Sequence, residues 1–500
     1  MPRFLRFALL LPWVLPAVLA AATAVPMPTS GEWPALLMGD WQSRGYGHRL
    51  RISADGARLY HYTTIAGADR CWPAEDDDSL LAAVDRYQLG GEGRELSLFG
   101  LGEPHPYRYD RLPEWPAACE QPAASNIRSR FQRFADLMQA HYAFFELYQV
   151  DWSARRAAGL ASLDDKSDEA ALFAAMQQAL QGLRDGHLSL SAEVAGEPRQ
   201  VEGNRGRTLE RISAAARAAG EPAGPARRRW QADLWQAIAK EALGGEGRMA
   251  GNDFLQAGWL SPQIGYLAAY TVGGYAERDF SDPRGDERVL HEFLDQALSD
   301  FERGQARAVV IDLSLNHGGY DFIARAFAAH FVDQRRPVYR KSPADALPPY
   351  QTELWLEPAA GQRYAGPVYL LTSDITVSGG EILTLALRAL PQVIHVGAAT
   401  RGALSDILEK PLGEGWVLTL SSEVYRDTQG QLWEGRGIEP QRPLPVFEAG
   451  QAPLAALTAL RQMIERDLAL TATAARATPA PAAATPPASG HRAGAGDSRR

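Results

Sequence analysis

The sequence of 500 residues has few lysines and no excess of positive charge. Its only lysines are Lys166, Lys240, Lys341 and Lys410. None of them follows a glycine, so the Gly-Lys pair of a phosphate-binding loop is absent. The formal net charge is −9, which argues against the basic surface that nucleic-acid binding requires. We therefore expect neither a nucleotide site nor a nucleic-acid partner.

Cysteine is also scarce, because Cys71 and Cys119 are the only two thiols. The chain has no Cys-x-x-Cys pair and no His-Glu-x-x-His pair, so a zinc or iron-sulfur site is not expected. We predict no metal and no cofactor. In an oxidising compartment the two cysteines are expected to form a disulfide, and two unrelated buried thiols remain the alternative.

The first 24 residues have the pattern of a secretory signal peptide. Arg3 and Arg6 precede an apolar run, which ends in a small-x-small cleavage site. Pro12 and Pro16 interrupt a run that is already shorter than the roughly 20 residues of a membrane span. We expect a cleaved signal, a periplasmic or secreted protein and no stable membrane span.

The rest of the chain has the composition of a globular protein, with 46% hydrophobic and 22% charged residues. Short β-type runs predict a small antiparallel β domain over residues 31–120, for which a structural appendage is the simpler interpretation. Helical periodicity predicts a helical subdomain over residues 125–260. Alternating strands and helices predict an α/β core over residues 261–468. Residues 469–500, rich in Ala and Pro, are predicted to be a disordered tail.

Ser378 follows an apolar strand and precedes a helix, within Thr376-Val377-Ser378-Gly379-Gly380. A serine at such a turn lies near unpaired N–H groups that can stabilise an oxyanion. The alternative is that Ser378 only caps the helix, which is the commoner use of serine there. A second glycine-rich turn at Gly318-Gly319 also leaves a buried strand, and two such turns on one sheet form a crevice.

Taken in chain order, several short blocks resemble the S41 serine peptidases, which include the tail-specific proteases and the tricorn core. The resemblance covers about residues 126–446 and implies a crotonase-like or ClpP-like α/β core. The blocks are Tyr142 to Phe145, Val150 to Trp152, Leu183 to His187, Ile264 to Leu267, Val310 to Gly319, Leu371 to Glu381, Gly397 to Ala403 and Glu434 to Pro440.

The resemblance implies that Ser378 is the nucleophile. It also implies that Gly379 and the Gly318-Gly319 turn form the oxyanion hole. Tail-specific members use a Ser-Lys dyad, but Ala403 stands where their lysine would be. Lys410 lies further along, and no motif places it in the site.

Tricorn-like members use a histidine base and an orienting glutamate, and His187 and Glu434 stand at those places. Ser405 is a further candidate for the same hydrogen-bond network. Three alternatives stay open: His187 as a helix cap, His317 as the base, and Glu434 as a surface acid.

The expected function is an exported serine peptidase that acts on peptides or proteins through an acyl-enzyme. Selectivity for C-terminal tails is in doubt, since residues 195–260 are predicted to be helical rather than a PDZ domain. The alternatives are a noncatalytic protein that binds a peptide or a lipophilic ligand on the same fold, and an esterase-like hydrolase.

Overall fold

The computed structural model describes residues 24–28, 33–74, 83–120 and 126–477. The predicted signal peptide up to residue 23 and the predicted tail from residue 478 lie outside these residues. The described chain has a mixed α/β architecture, as the sequence predicts.

The N-terminal β domain is one antiparallel sheet of eight strands. Its strands are β1 (Val25–Pro26), β2 (Gly39–Ser43), β3 (His48–Ser53), β4 (Gly56–Ile65), β5 (Ala68–Pro73), β6 (Val84–Gly90), β7 (Glu95–Gly100) and β8 (Tyr107–Arg111). They lie in the order β1-β6-β7-β8-β2-β3-β4-β5. Trp41, Leu50 and Tyr109 pack in its core, each fully buried. A disulfide joins Cys71 of β5 to Cys119, so the predicted pairing is confirmed.

A helical region follows, and aspartate or asparagine side chains cap its first three helices. It comprises α1 (Ile127–His141), α2 (Trp152–Ser162), α3 (Glu169–Leu180), β9 (Ser189–Val194), β10 (Glu197–Glu202), α4 (Arg207–Ala218) and α5 (Ala223–Ala237). The side chains of Asn126, Asp151 and Asp168 each accept a backbone N–H at the start of a helix. The helices predicted here are present, but the strands β9 and β10 were not expected.

The remaining strands and helices form the α/β core. The strands are β11 (Arg248–Ala250), β12 (Leu255–Ser261), β13 (Ile264–Ala269), β14 (Ala308–Asp312), β15 (Arg336–Pro343), β16 (Thr352–Leu356), β17 (Val368–Thr372), β18 (Val393–Gly397), β19 (Ile407–Gly413), β20 (Trp416–Ser421), β21 (Glu423–Asp427) and β22 (Arg442–Pro443). The helices are α6 (Pro283–Arg303), α7 (Asp321–Ala328), α8 (Gly379–Arg388) and α9 (Ala455–Ala477).

A seven-stranded sheet, ordered β11-β12-β13-β14-β17-β18-β22, lies at the centre of this core. It runs parallel from β13 to β22. Val309 and Ile311 of β14 face one core, which α6, α7 and α8 cover, while Val310 faces a second core formed with α4, α5 and α9. Both faces are therefore buried, which explains why β14 is apolar along nearly its whole length.

Sheet pairing crosses the domain boundary predicted at residue 260. The strand β11 and most of β12 precede that point, yet both strands pair into the seven-stranded sheet. In the other direction, β20 pairs with β9 of the helical region, in a sheet of order β10-β9-β20-β19. The third sheet of this part of the chain has the order β16-β15-β21. The helical region and the core are thus joined by backbone hydrogen bonds rather than divided.

The predicted tail begins too early, because α9 continues to Ala477. Residues 469–477 contain five alanines, and alanine has the highest helix propensity, so this stretch extends the preceding helix. In the described part of the chain, no helix is long and apolar enough to cross a membrane.

Candidate active site

Ser378 lies at a strained turn between β17 and α8. Its backbone has φ 55° and ψ −126°, a conformation that costs about 1–3 kcal/mol for a residue other than glycine and is typical of functional turns. The loop before it is held to the end of β14, since Thr376 Oγ1 donates to the Leu313 carbonyl at 2.7 Å. The Ser378 N–H donates to the Ala403 carbonyl at 3.0 Å. The turn is therefore fixed from two sides.

The Gly318-Gly319 turn packs directly against this serine. A Cβ added to Gly318, which has φ +84°, would lie 2.7 Å from Ser378 Cβ, and one added to Gly379 would lie 2.5 Å from the Gly319 carbonyl oxygen. Only glycine allows such an approach. The structure thus brings the three glycines of the predicted oxyanion hole together beside Ser378.

The three glycines differ in what their N–H groups do. The Gly318 N–H donates to Asn316 Oδ1 at 2.8 Å, so it is already used. The N–H groups of Gly319 and Gly379 donate to no acceptor among the described residues. Gly379 begins α8, where the N–H groups of the first turn have no partner within the helix. Gly319 and Gly379 are therefore the available donors, while Gly318 contributes the close approach.

His187 is buried in the loop between α3 and β9. The backbone N–H of His187 donates to Asp185 Oδ1 at 2.8 Å. The ring Nδ1 has no hydrogen-bond partner among the described residues. Burial lowers the pKa of His187, an effect that the carboxylates of Asp185 and Asp406 oppose. The imidazole is thus held in its neutral form, which is the form a general base needs.

Glu434 is buried in the loop after β21, so it is not a surface acid. Its Oε2 accepts the N–H groups of Leu404 at 2.9 Å and Ser405 at 3.1 Å, while its Oε1 has no partner among the described residues. Burial raises the pKa of Glu434 well above its ordinary value, and the neighbouring carboxylates of Asp185 and Glu381 raise it further.

One short stretch, residues 402–405, connects all three predicted catalytic residues. We call it the 402–405 segment. Ala403 accepts the Ser378 N–H, and its Cβ lies so near Gly186 that a Cβ there would approach to 2.8 Å. Glu434 binds the next two N–H groups of the segment. No hydrogen bond in the described residues joins the His187 ring to Ser378 or to Glu434. The three residues surround one segment without forming a closed triad.

Ser405 lies beside Glu434, whose Oε2 accepts its N–H at 3.1 Å. It is fully buried, and its Oγ accepts the Glu423 N–H at 3.0 Å. The two rival residues have other partners, although His317 directly precedes the Gly318-Gly319 turn. His317 is exposed and its ring contacts the Gln231 side chain of α5, while Lys410 is buried below the β domain, where it contacts the Tyr46 carbonyl and, at 3.0 Å, His61 Nδ1.

Two buried acids were not assigned a role from the sequence. Glu381, in the first turn of α8, accepts the N–H groups of Gly402 at 2.7 Å and Ala403 at 2.8 Å as well as the Thr400 hydroxyl. Asp185 accepts the Ser421 hydroxyl at 2.9 Å. The spacing Ser378-x-x-Glu381 is the capping-box pattern and could have indicated Glu381, whereas Ser421, a partner of Asp185, lies in the distant strand β20.

No group of three or more His, Cys, Asp or Glu side chains in the described ranges is arranged to hold a metal ion. What the arrangement offers instead is a serine hydroxyl, two free N–H donors, a neutral buried imidazole and a buried carboxyl group. These are the elements of acyl transfer through a serine nucleophile.

Comparison with known proteins agrees with this class of site. Residues 264–444 match the model of peptidase family S41, so this part of the chain is similar to that family. The carboxy-terminal processing protease CtpB of Bacillus subtilis (strain 168) is 25% identical over 179 residues, which are 35% of this chain. The match spans 33% of that relative, so the chain covers about a third of its length.

A solved structure from Parabacteroides merdae ATCC 43184 has the same fold. It superposes with a TM-score of 0.50 over 64% of this chain and 90% of that chain, at 20% sequence identity. The prediction of an S41 α/β core with additional domains is confirmed.

Proposed function

We propose that this chain is an exported serine peptidase with Ser378 as nucleophile, His187 as general base and Glu434 as the group that orients His187. The observation that carries the proposal is the turn at Ser378, where a strained serine lies between two N–H groups without acceptors. A helix cap alone requires neither the strain nor the contact with Gly318.

In the proposed reaction the Ser378 hydroxyl attacks the peptide carbonyl carbon while His187 takes its proton. The carbonyl oxygen becomes an oxyanion, which the N–H groups of Gly319 and Gly379 stabilise. His187 then donates the proton to the leaving amine as the C–N bond breaks, which leaves an acyl-enzyme. Water, deprotonated by His187, hydrolyses the ester and restores the serine.

The role of Glu434 rests on two buried atoms without partners. His187 Nδ1 and Glu434 Oε1 are both buried near the 402–405 segment and both lack a hydrogen bond among the described residues. A hydrogen bond between them would satisfy both and fix the tautomer in which Nε2 accepts the serine proton. Catalytic hydrogen bonds commonly tighten only when substrate binds. The positive charge that develops on His187 would also stabilise the ionised form of Glu434.

Export is supported by the N-terminal pattern together with the disulfide. Disulfides persist in oxidising compartments, and Cys71 and Cys119 are paired. A periplasmic or secreted location is therefore the proposal that fits both features.

A fluorophosphonate probe tests the nucleophile. We expect the probe to label the full chain on Ser378, as located by peptide mass spectrometry, and casein or peptide turnover to disappear in Ser378→Ala. Ser53→Ala, at an exposed position in β3, is the matched control and should keep both properties. Turnover that persists in Ser378→Ala would overturn the assignment. Absence of labelling and turnover in the wild type would favour a noncatalytic binding protein. Cleavage of p-nitrophenyl esters without cleavage of peptides would favour an esterase.

A further inference from the structure

A cavity of about 470 Å³ lies between the β domain and the core, next to the proposed active site. Tyr46 and Glu103 line it from the β domain, and Asp321 and Lys341 line it from the core. Gly319, one of the two free oxyanion donors, also lines it, as does Asp406, which directly follows Ser405. A group bound in this cavity would therefore lie close to the bond under attack.

The cavity wall carries more acidic than basic groups. Lys341 Nζ lies 3.0 Å from Asp406 Oδ2, 3.2 Å from Glu103 Oε2, 3.3 Å from Glu423 Oε2 and 3.7 Å from Asp321 Oδ2. The one further cation of the cluster is Arg325, which pairs with Glu103. Four carboxyl groups thus share two cations.

The carboxyl groups differ in their access to a ligand. The Asp406 side chain is 50% exposed, whereas those of Lys341 and Glu423 are 4% and 3% exposed. Behind Asp406, Glu423 Oε2 forms the ion pair with Lys341 but accepts no hydrogen bond from a described residue. A donor that enters the cavity would meet Asp406 first and then the buried carboxyl group of Glu423.

Aromatic rings form much of the remaining wall. Tyr46 and Tyr107 meet edge to face with centroids 4.8 Å apart, and Phe280 and Tyr320 do so at 5.6 Å. Aromatic faces attract cations, and the long apolar stem of a lysine or arginine packs well against them.

We propose that this cavity is a substrate subsite that binds a basic side chain, lysine or arginine, near the cleaved bond. The inference rests on the proposed peptidase function and assigns the β domain a role in substrate selection. Burial raises the pKa of Glu423 to about 8, and that of Asp321 to about 7, with the Asp406 carboxylate adding to both shifts and Lys341 opposing them. These carboxyl groups therefore hold protons that a bound cation would displace.

Binding of a small cation tests the subsite without catalysis. We expect n-butylguanidinium to bind the full chain in isothermal titration and uncharged n-butylurea not to bind. Asp406→Asn, which is isosteric and leaves Lys341 its other partners, should weaken butylguanidinium binding at least tenfold. Asp55→Asn, at an exposed turn of the β domain, is the matched control and should bind like the wild type. Equal binding by Asp406→Asn and the wild type would overturn the proposal, as would no binding by the wild type.

Cleavage mapping separates this proposal from the proposed function. When a peptide library is digested, we expect lysine and arginine to be enriched at one position beside the cleaved bond. Asp406→Asn should lower kcat/KM for an arginine peptide at least tenfold more than it lowers kcat/KM for the citrulline counterpart. Labelled Ser378 with cleavage that ignores basic residues would overturn the subsite alone. No labelling and no cleavage would overturn the peptidase, and the titration would still decide whether the cation binds.

Discussion

At the scale of single residues, Gly318 has no side chain, and this allows the Gly318-Gly319 turn to approach the proposed nucleophile Ser378. We expect Gly318→Ala to lower kcat/KM at least about 100-fold, because the new Cβ would collide with Ser378 Cβ and displace a reacting group. Gly430→Ala is the matched control, since its φ of +81° is similar and its added Cβ meets nothing within 4 Å. It should cost about 1 kcal/mol of stability and leave activity intact. Activity retained in Gly318→Ala would contradict the tight turn.

The pH dependence of activity should report the protonation of His187. Burial lowers its pKa below the ordinary 6.5, so the neutral base persists as the pH falls through 6.5 and is lost only at lower pH. For a citrulline peptide, which displaces no proton from the proposed subsite, we expect the acidic limb of kcat/KM to lie below pH 6.5. Unfolded chains take up this proton at higher pH than the folded protein, so the same shift destabilises the fold as the pH falls.

Variants of the two histidines identify the base. His187→Ala should abolish peptide turnover, and His317→Gln, at an exposed position, should keep the rate within about twofold and leave the acidic limb in place. Loss of the limb in His317→Gln would make His317 the base instead.

The site residues that the sequence could predict are those in short contiguous motifs. Two of these motifs, Ser378-Gly379 and Gly318-Gly319, each follow an apolar strand. The sequence alone therefore predicts that they lie at neighbouring strand ends. The surroundings of Glu423 and Lys341 could not be predicted from the sequence. These residues meet only because β15 pairs with β21 and the β domain packs against them. A single sequence does not indicate that pairing.

At the scale of elements, the start of α8 is tied to the 402–405 segment through Glu381. We expect Glu381→Ala to lower the free energy of unfolding by about 3 kcal/mol, because it leaves the buried N–H groups of Gly402 and Ala403 without acceptors. Glu381→Gln should not rescue the protein, because both carboxylate oxygens accept hydrogen bonds and the amide NH₂ would face a donor. Glu465→Ala, on the exposed side of α9, is the control, and denaturant unfolding measures all three. A wild-type unfolding curve for Glu381→Ala would contradict this role.

The elements that the sequence predicts well are those whose burial leaves a clear pattern. The apolar strands β14 and β17 and the helices around them lie where they were expected. The strand β10 was missed because its residues, Glu197 to Glu202, are almost all exposed and polar, so no alternation marks it. Tertiary pairing with β9, rather than local preference, makes this segment a strand.

At the scale of the whole molecule, the β domain is attached by buried polar contacts between distant parts of the chain. The Tyr46 hydroxyl donates to Glu423, and Arg325 donates to the Gly102 carbonyl at 2.9 Å. The His141 ring contacts Asp345 at 2.6 Å, and Asp345 in turn accepts the Tyr46 N–H. Such contacts hold the β domain in one orientation, which the proposed subsite requires, since it draws its walls from both sides.

The disulfide should contribute to that orientation by stabilising the β domain. Cys71 and Cys119 are 48 residues apart, and closing such a loop stabilises the fold by about 4 kcal/mol through the lowered entropy of the unfolded chain. We expect the β domain of the double variant Cys71→Ser and Cys119→Ser to unfold at a lower denaturant concentration than that of the wild type. As the denaturant concentration rises, this variant should lose its preference for arginine over citrulline before it loses labelling of Ser378. Addition of dithiothreitol should reproduce this in the wild type and leave the double variant unchanged. If selectivity and labelling disappear together, the β domain supports the whole core and not the subsite alone.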